Sequence, residues 1–209
     1  MKAGKLRVAA QAAVLAILIP AAGHAGELQD KLGYCKNCHG DHFQGFTGYY
    51  TAPRLAGQPA EYLENQFKAL KAHRRDDPVA KRFMWPVVSA GAPWSAIAKH
   101  LSALDAPPSA DGPRHLVEAG KKLFAEGSPD GNVPACAACH GEDAHGNDQV
   151  PRLAGQPYAY VVDQLIGWDK GYRAKDPAAG TDENTMLPIA KGLSKEQIKA
   201  VAAFVSYQK

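Results

Sequence analysis

Scarcity narrows this chain first. It has only four cysteines in 209 residues, all within two five-residue stretches, so no scattered disulfide framework holds it together. It has three methionines, and beyond Met1 these are Met84 and Met186. No apolar run reaches the roughly 20 residues that a bilayer span requires. The stretch Val8 to Ile19 lies behind a basic start (Lys2, Lys5, Arg7) and ahead of Gly23 and Ala25. That arrangement reads as a secretory signal over residues 1–25, cleaved after Ala25, and places the mature protein in a periplasm. Net charge is lacking too. The formal +3 includes the three leader cations, so residues 26–209 are formally neutral and have no electrostatic motive for binding nucleic acid. Sustained strand-type alternation is also missing.

What is present is a pattern written twice. Cys35-Lys36-Asn37-Cys38-His39 recurs as Cys136-Ala137-Ala138-Cys139-His140. A zinc site would need its two cysteine pairs close together, and a redox dithiol would sit beside a strand-helix-strand pattern; neither is found. Histidine directly after the second cysteine is the attachment signature of c-type haem. Two thiols form thioethers with the porphyrin, and the imidazole binds iron. The expectation is two covalently bound haem c groups, with Cys35, Cys38, Cys136 and Cys139 as thioethers and His39 and His140 as axial ligands.

The repeat runs well past the cysteines. Pro53-Arg54-Leu55-Ala56-Gly57-Gln58-Pro59 is identical to Pro151-Arg152-Leu153-Ala154-Gly155-Gln156-Pro157, and Tyr62 and Gln66 align with Tyr160 and Gln164. Asp77-Pro78 then matches Asp176-Pro177, and Met84-x-Pro86 matches Met186-x-Pro188. Between the copies, Ala106 to Pro113 contains three prolines and no apolar periodicity. The domains are therefore expected at 26–105 and 114–209, joined by a linker at 106–113. Apolar spacing predicts helices over Glu61 to Leu70 and Ala96 to Leu104, their counterparts in the second copy, and a last helix opened by Ser194 with Gln197 as capping partner. The fold class is all-α with long loops, each half wrapped around its haem because so short a chain builds little core alone. Trp85, Trp94, Trp168, Phe67 and Phe124 are read as packing residues.

A lone methionine is usually core filler. Here Met84 and Met186 stand one per half, in register, 45 and 46 residues after their histidines. They are therefore the expected sixth ligands, as soft donors that raise the reduction potential. His42, His73, His100, His115 and His145 leave a bis-histidine centre as the alternative.

The paired Cys-x-x-Cys-His-Gly motifs, the repeated Pro-Arg-Leu-Ala-Gly-Gln, the Tyr-x-x-x-Gln helix and the Asp-Pro before each methionine resemble the periplasmic di-haem cytochromes of the cytochrome c4 family. The resemblance spans the mature chain. It implies a tandem duplication of class I cytochrome c domains with one His/Met haem each, passing electrons singly and without substrate chemistry. It also implies that the Pro53 and Pro151 carbonyls accept a hydrogen bond from the axial imidazoles. Expected partners are periplasmic or membrane-bound redox proteins such as a dehydrogenase, a cytochrome complex or a terminal oxidase, and a peripheral association with the membrane stays open. Two alternatives stand beside the free carrier: a subunit of a dehydrogenase complex such as a flavocytochrome sulfide dehydrogenase, and a di-haem enzyme with one labile axial site. The first copy departs from the second in the aromatic segment Asp41 to Thr51, which carries Phe43, Phe46, Tyr49 and Tyr50 and suggests a distinct surface. Arg54 and Arg152 are candidates for pairing with propionates or internal carboxylates.

Overall fold

The computed structural model describes residues 22–173 and 185–209. Nearly all of the expected leader, and the Asp176-Pro177 pair, lie outside these residues. In the N-terminal half, α1 (Ala22–His39) runs straight into the first cysteine motif. A two-stranded antiparallel ribbon follows, β1 (Phe46–Thr47) with β2 (Thr51–Ala52). Then come α2 (Ala60–Lys71), a π-helical turn (Ala80–Met84), α3 (Trp85–Ser89) and α4 (Trp94–Ser102). The C-terminal half has a 3-10 turn (Arg114–Leu116), α5 (Val117–Glu126), α6 (Ala137–His140), α7 (Tyr158–Asp169), α8 (Met186–Gly192) and α9 (Lys195–Tyr207). No helix among the described residues is long and apolar enough to cross a membrane.

The apolar faces read from the sequence become two separate cores. Leu63, Phe67 and Leu70 of α2 meet Ile97, Ala98 and Leu101 of α4, with Leu32 and Phe43 beneath them. Val161 and Leu165 of α7 meet Ile198, Val201, Phe204 and Val205 of α9, with Leu123 and Phe124 of α5. Trp85 and Trp94 pack on the first core and Trp168 on the second. α9 begins at the expected capping box: Gln197 N–H donates to Ser194 Oγ (3.1 Å), and Ser194 N–H donates to Gln197 Oε1 (2.8 Å). The helix expected at Ala96 starts two residues earlier, behind Pro93, whose fixed φ suits a helix entry. The ribbon β1/β2 was not expected. At two residues per strand it is too short for a period-two signal, and the fold remains all-α.

One close approach fixes the C-terminal half. A Cβ on Gly120 of α5 would stand 1.9 Å from the Ala200 carbonyl oxygen of α9, so only glycine lets these helices cross there. In the N-terminal half, the cysteine motif closes a long helix. In the C-terminal half, residues 127–135 separate α5 from the motif, in a loop tied by Val133 N–H to Ser128 Oγ (2.9 Å) and Asn132 Nδ2 to Asp130 Oδ2 (2.7 Å). The bonds from Ser128 and Asn132 hold the Asp130 carboxyl below its usual pKa, Ser128 contributing most.

Candidate functional site

Each histidine is buried and pinned in the same way. The His39 and His140 side chains lie in positions only 5 % and 6 % exposed. Their Nδ1 atoms stand 2.9 Å from the backbone oxygens of Pro53 and Pro151. A carbonyl can only accept, so Nδ1 carries the proton and each neutral ring keeps a lone pair on Nε2, the atom that can bind a metal. Burial lowers both histidine pKa values, the carbonyl bond opposing it in part, so both rings are held neutral.

The loops that present these carbonyls have the same wiring. Leu55 and Ala56 N–H donate to Phe43 O, as Leu153 and Ala154 N–H donate to Ala144 O. Gly45 N–H reaches His39 O, and Gly146 N–H reaches His140 O. Gly40 and Gly141 turn the chain away after each histidine with φ of 83° and 81°, a left-handed conformation that glycine adopts without strain.

The residues fit a covalently held porphyrin. None of the four cysteines is in a disulfide, so all four are available for thioether bonds. Cys35 and Met84 border the first core, and Cys136 and Met186 the second. Burial raises the Cys35 pKa and pushes that of Cys136 up to about 11, as expected for sulfurs set in an apolar wall. The neighbouring Cys38 thiol, more than any other group, pushes the Tyr50 pKa up to about 12. Trp168 Nε1 is buried without an acceptor among the described residues, a donor that suits a propionate oxygen.

The junction between the halves was not legible in advance. Gln156 Oε1 accepts from Arg54 N–H (3.0 Å) while Gln156 Nε2 donates to Arg54 O (2.9 Å). Gln58 does the same to Arg152, with distances of 3.0 and 2.7 Å. Each half thus inserts one amide against the other's backbone, satisfying four buried polar groups. A second set crosses nearby. Arg75 donates to Gln66 (2.9 Å) and Gln164 (2.9 Å), and Arg173 donates to Gln164 (3.1 Å) and Gln66 (3.2 Å). Only the equal spacing of these residues in the two copies hinted at a shared role.

The two repeated arginines serve this junction. Arg54 donates through Nε to Ala56 O (2.9 Å) and through Nη1 to the linker carbonyls of Ala106 (2.6 Å) and Pro107 (2.9 Å), and its Nη2 meets the exposed Asp105 at 3.4 Å. Burial, and then the nearby Arg152, lower its pKa to about 10. Arg152 donates through Nε to Ala154 O (3.0 Å). Of the two roles expected for Arg54, the structure gives a carboxylate contact, together with bonds to the linker backbone.

Comparison with known proteins agrees. The cytochrome c family model matches residues 117–209. The chain is 39 % identical over 180 residues to cytochrome c-552 of Acidithiobacillus ferridurans, covering 82 % of this chain and 72 % of that one. It is 33 % identical over 177 residues to the thiosulfate dehydrogenase electron acceptor of Stutzerimonas stutzeri, covering 81 % and 76 %. Among solved structures it resembles cytochrome c4 of Acidithiobacillus ferrooxidans, with 37 % identity, a TM-score of 0.72 and coverage of 84 % of this chain and 99 % of that one. Two tandem class I domains, two Cys-x-x-Cys-His sites and this similarity lead to one conclusion: the chain belongs to the cytochrome c4 family, a di-haem c-type cytochrome with two covalently bound haem c groups that acts in electron transfer.

Proposed function

We propose that each half holds its haem between a histidine and a methionine, His39 with Met84 and His140 with Met186, with thioethers at Cys35 and Cys38 and at Cys136 and Cys139. The domains run from 26 to 105 and from 114 to 209, with 106–113 as the linker. The observation that carries this reading is the matched pair of buried imidazoles, each with Nδ1 at 2.9 Å from a proline carbonyl and Nε2 left to bind iron. When bound, haem c supplies one-electron redox chemistry. The protein residues hold each imidazole neutral and fixed in orientation, and the proline carbonyl increases the donor strength of Nε2. Met84 and Met186 contribute neutral thioethers that favour the reduced metal. The apolar walls exclude water, and the bonded junction keeps the two halves in a constant relation, so little rearrangement accompanies transfer.

The protein is read as a periplasmic carrier between redox partners, with no substrate chemistry of its own. Edman sequencing of periplasmic protein should begin at Gly26. A second reading is favoured by the similarity to a thiosulfate dehydrogenase electron acceptor: the partner is a dehydrogenase to which this chain is dedicated. Co-purification of a catalytic subunit would support that reading over the free carrier.

Spectroelectrochemical titration of the purified holoprotein tests the ligand set. Two one-electron steps, methionine-sulfur charge-transfer absorption from both haems and no high-spin component are expected. Met84→Ala and Met186→Ala should each lower one potential by on the order of a few tenths of a volt, within the ~0.8 V range that axial ligands command. An unchanged potential in either variant rejects that methionine.

A further inference from the structure

The loops that follow the two histidines are one structural unit built at two lengths. His39 and Pro53 are 14 positions apart, while His140 and Pro151 are 11 apart. The shorter loop turns at the Asn147–Val150 bridge and is taken up by the other half. Tyr62 N–H donates to Asp148 O (3.0 Å), Asn65 Nδ2 to Gln149 Oε1 (2.6 Å) and Gln149 Nε2 to Glu61 Oε1 (3.0 Å). The longer loop spends its three extra residues on the ribbon β1/β2, and the tip of that ribbon stays in water.

This tip is aromatic. Phe46 lies 6.1 Å from Tyr49 and 5.0 Å from Tyr50 between ring centroids, Tyr49 lies 4.7 Å from Tyr50, and Tyr50 lies 5.2 Å from Phe83. Yet Tyr49 is 91 % exposed and Phe46 37 %. Phe46, Tyr49 and Tyr50 in mutual contact, joined to Phe83 through Tyr50 and with two of the four rings in solvent, form an exposed apolar face. The cluster borders the first haem site at two points: Tyr50 touches Cys38, and Phe83 directly precedes Met84.

Charge surrounds this face without entering it. No residue from Phe43 to Pro53 is charged. Arg82, exposed and without an ion pair among the described residues, flanks it, its guanidinium 5.3 Å from the Phe83 ring centroid, while on the ribbon Thr47 Oγ1 donates to Asp111 Oδ2 of the linker (3.3 Å). Asp41 is the one acidic residue between Lys36 and Ala60. The matching loop of the C-terminal half carries Glu142, Asp143 and Asp148 and no aromatic residue before Pro151. The two sites therefore face the solvent with different chemistry.

We propose that the aromatic ribbon is the docking port of the first haem, and that its partner is a redox protein whose centre opens onto an apolar face rimmed by carboxylates. This rests on the assignment of a haem to Cys35, Cys38, His39 and Met84. Rigid aromatic side chains give contact area at low entropic cost, and the unpaired Arg82 at the rim steers an acidic partner into register. With haem c held at Cys35, Cys38, His39 and Met84, the ribbon would bring an oxidised partner close enough to accept one electron, with no bond made and no proton moved.

Plastocyanin, a copper protein with an apolar copper face and an acidic flank, is the probe, used with the holoprotein. Stopped-flow oxidation of the reduced protein by Cu(II) plastocyanin gives the rate, and calorimetry with zinc-substituted plastocyanin gives the affinity without electron transfer. Tyr49→Ser combined with Phe46→Ser should lower both by about fivefold or more. Arg82→Gln should flatten the ionic-strength dependence of the rate. Oxidation by hexacyanoferrate, which is too small to need a docking face, should stay within about twofold. Tyr49 is almost fully exposed, so Tyr49→Ser alone should leave both haem spectra and potentials unchanged. A rate and affinity in the double variant within about twofold of the parent protein, or no association of the parent protein with plastocyanin, overturns the port. A ligand band and potential of the first haem left unchanged by Met84→Ala would instead overturn the haem assignment beneath it.

Discussion

In the C-terminal half, Gly120 of α5 approaches α9 so closely that a Cβ would stand 1.9 Å from the Ala200 oxygen; in the N-terminal half, Gly33 of α1 has nothing within 4 Å. The terminal helices differ accordingly. α9 buries eight of its residues, from Ile198 to Ser206, whereas α4 buries only Ile97, Ala98 and Leu101. α9 also carries the end of the linker: Gly112 N–H donates to Ser206 Oγ (3.2 Å) and Tyr207 Oη donates to Gly112 O (2.8 Å). The same chain plan thus gives one half closed by its own polypeptide and another that keeps a looser frame and an exposed aromatic loop. Duplication preserved the wiring around the histidines and left the packing around it free to diverge.

The strongest way to break this comparison is at the helix crossing. Gly120→Ala pushes a methyl into backbone that has no flexible end to yield, and it should destabilise the protein by about 3 kcal/mol. Gly33→Ala, in open space on α1, should be neutral or stabilise by about 0.5–1 kcal/mol. Thermal unfolding of both variants by calorimetry checks the pair, and equal shifts would remove the contrast.

The junction gives the converse expectation, of equality. Gln58→Ala leaves the N–H and C=O of Arg152 without partners, and Gln156→Ala does the same to Arg54. Each should cost about 2 kcal/mol in chemical denaturation. A clear difference between the two would mean that the pseudo-twofold relation of the bonds does not extend to their energetics.

The haem chemistry was legible because it is local. A Cys-x-x-Cys-His stretch carries its own proposed ligand, and the proline whose carbonyl meets that imidazole sits in a repeated heptapeptide. The amphipathic helices followed from their spacing, and α9 from its capping pair. The junction was not legible, because Gln58 and Gln156 act on backbone more than 90 residues away and nothing about a glutamine marks its partner. The ribbon β1/β2 escaped because two-residue strands carry no period, although its unusual aromatic content was visible. The crossing at Gly120 depends on where α9 lies, which the spacing of one helix does not encode.

The reciprocal exchange between Gln58 and Gln156 has a further consequence. Each half presents the same patch to the other and receives the same patch in return, which is the geometry of a symmetric homodimer enclosed in a single chain. The linker keeps the partners at an effective concentration on the order of millimolar, so the contact needs little intrinsic affinity. Cut free of that tether, each half would retain a self-complementary face but would assemble with a second copy of itself only near such millimolar concentrations, in the arrangement the tandem chain now makes with its twin.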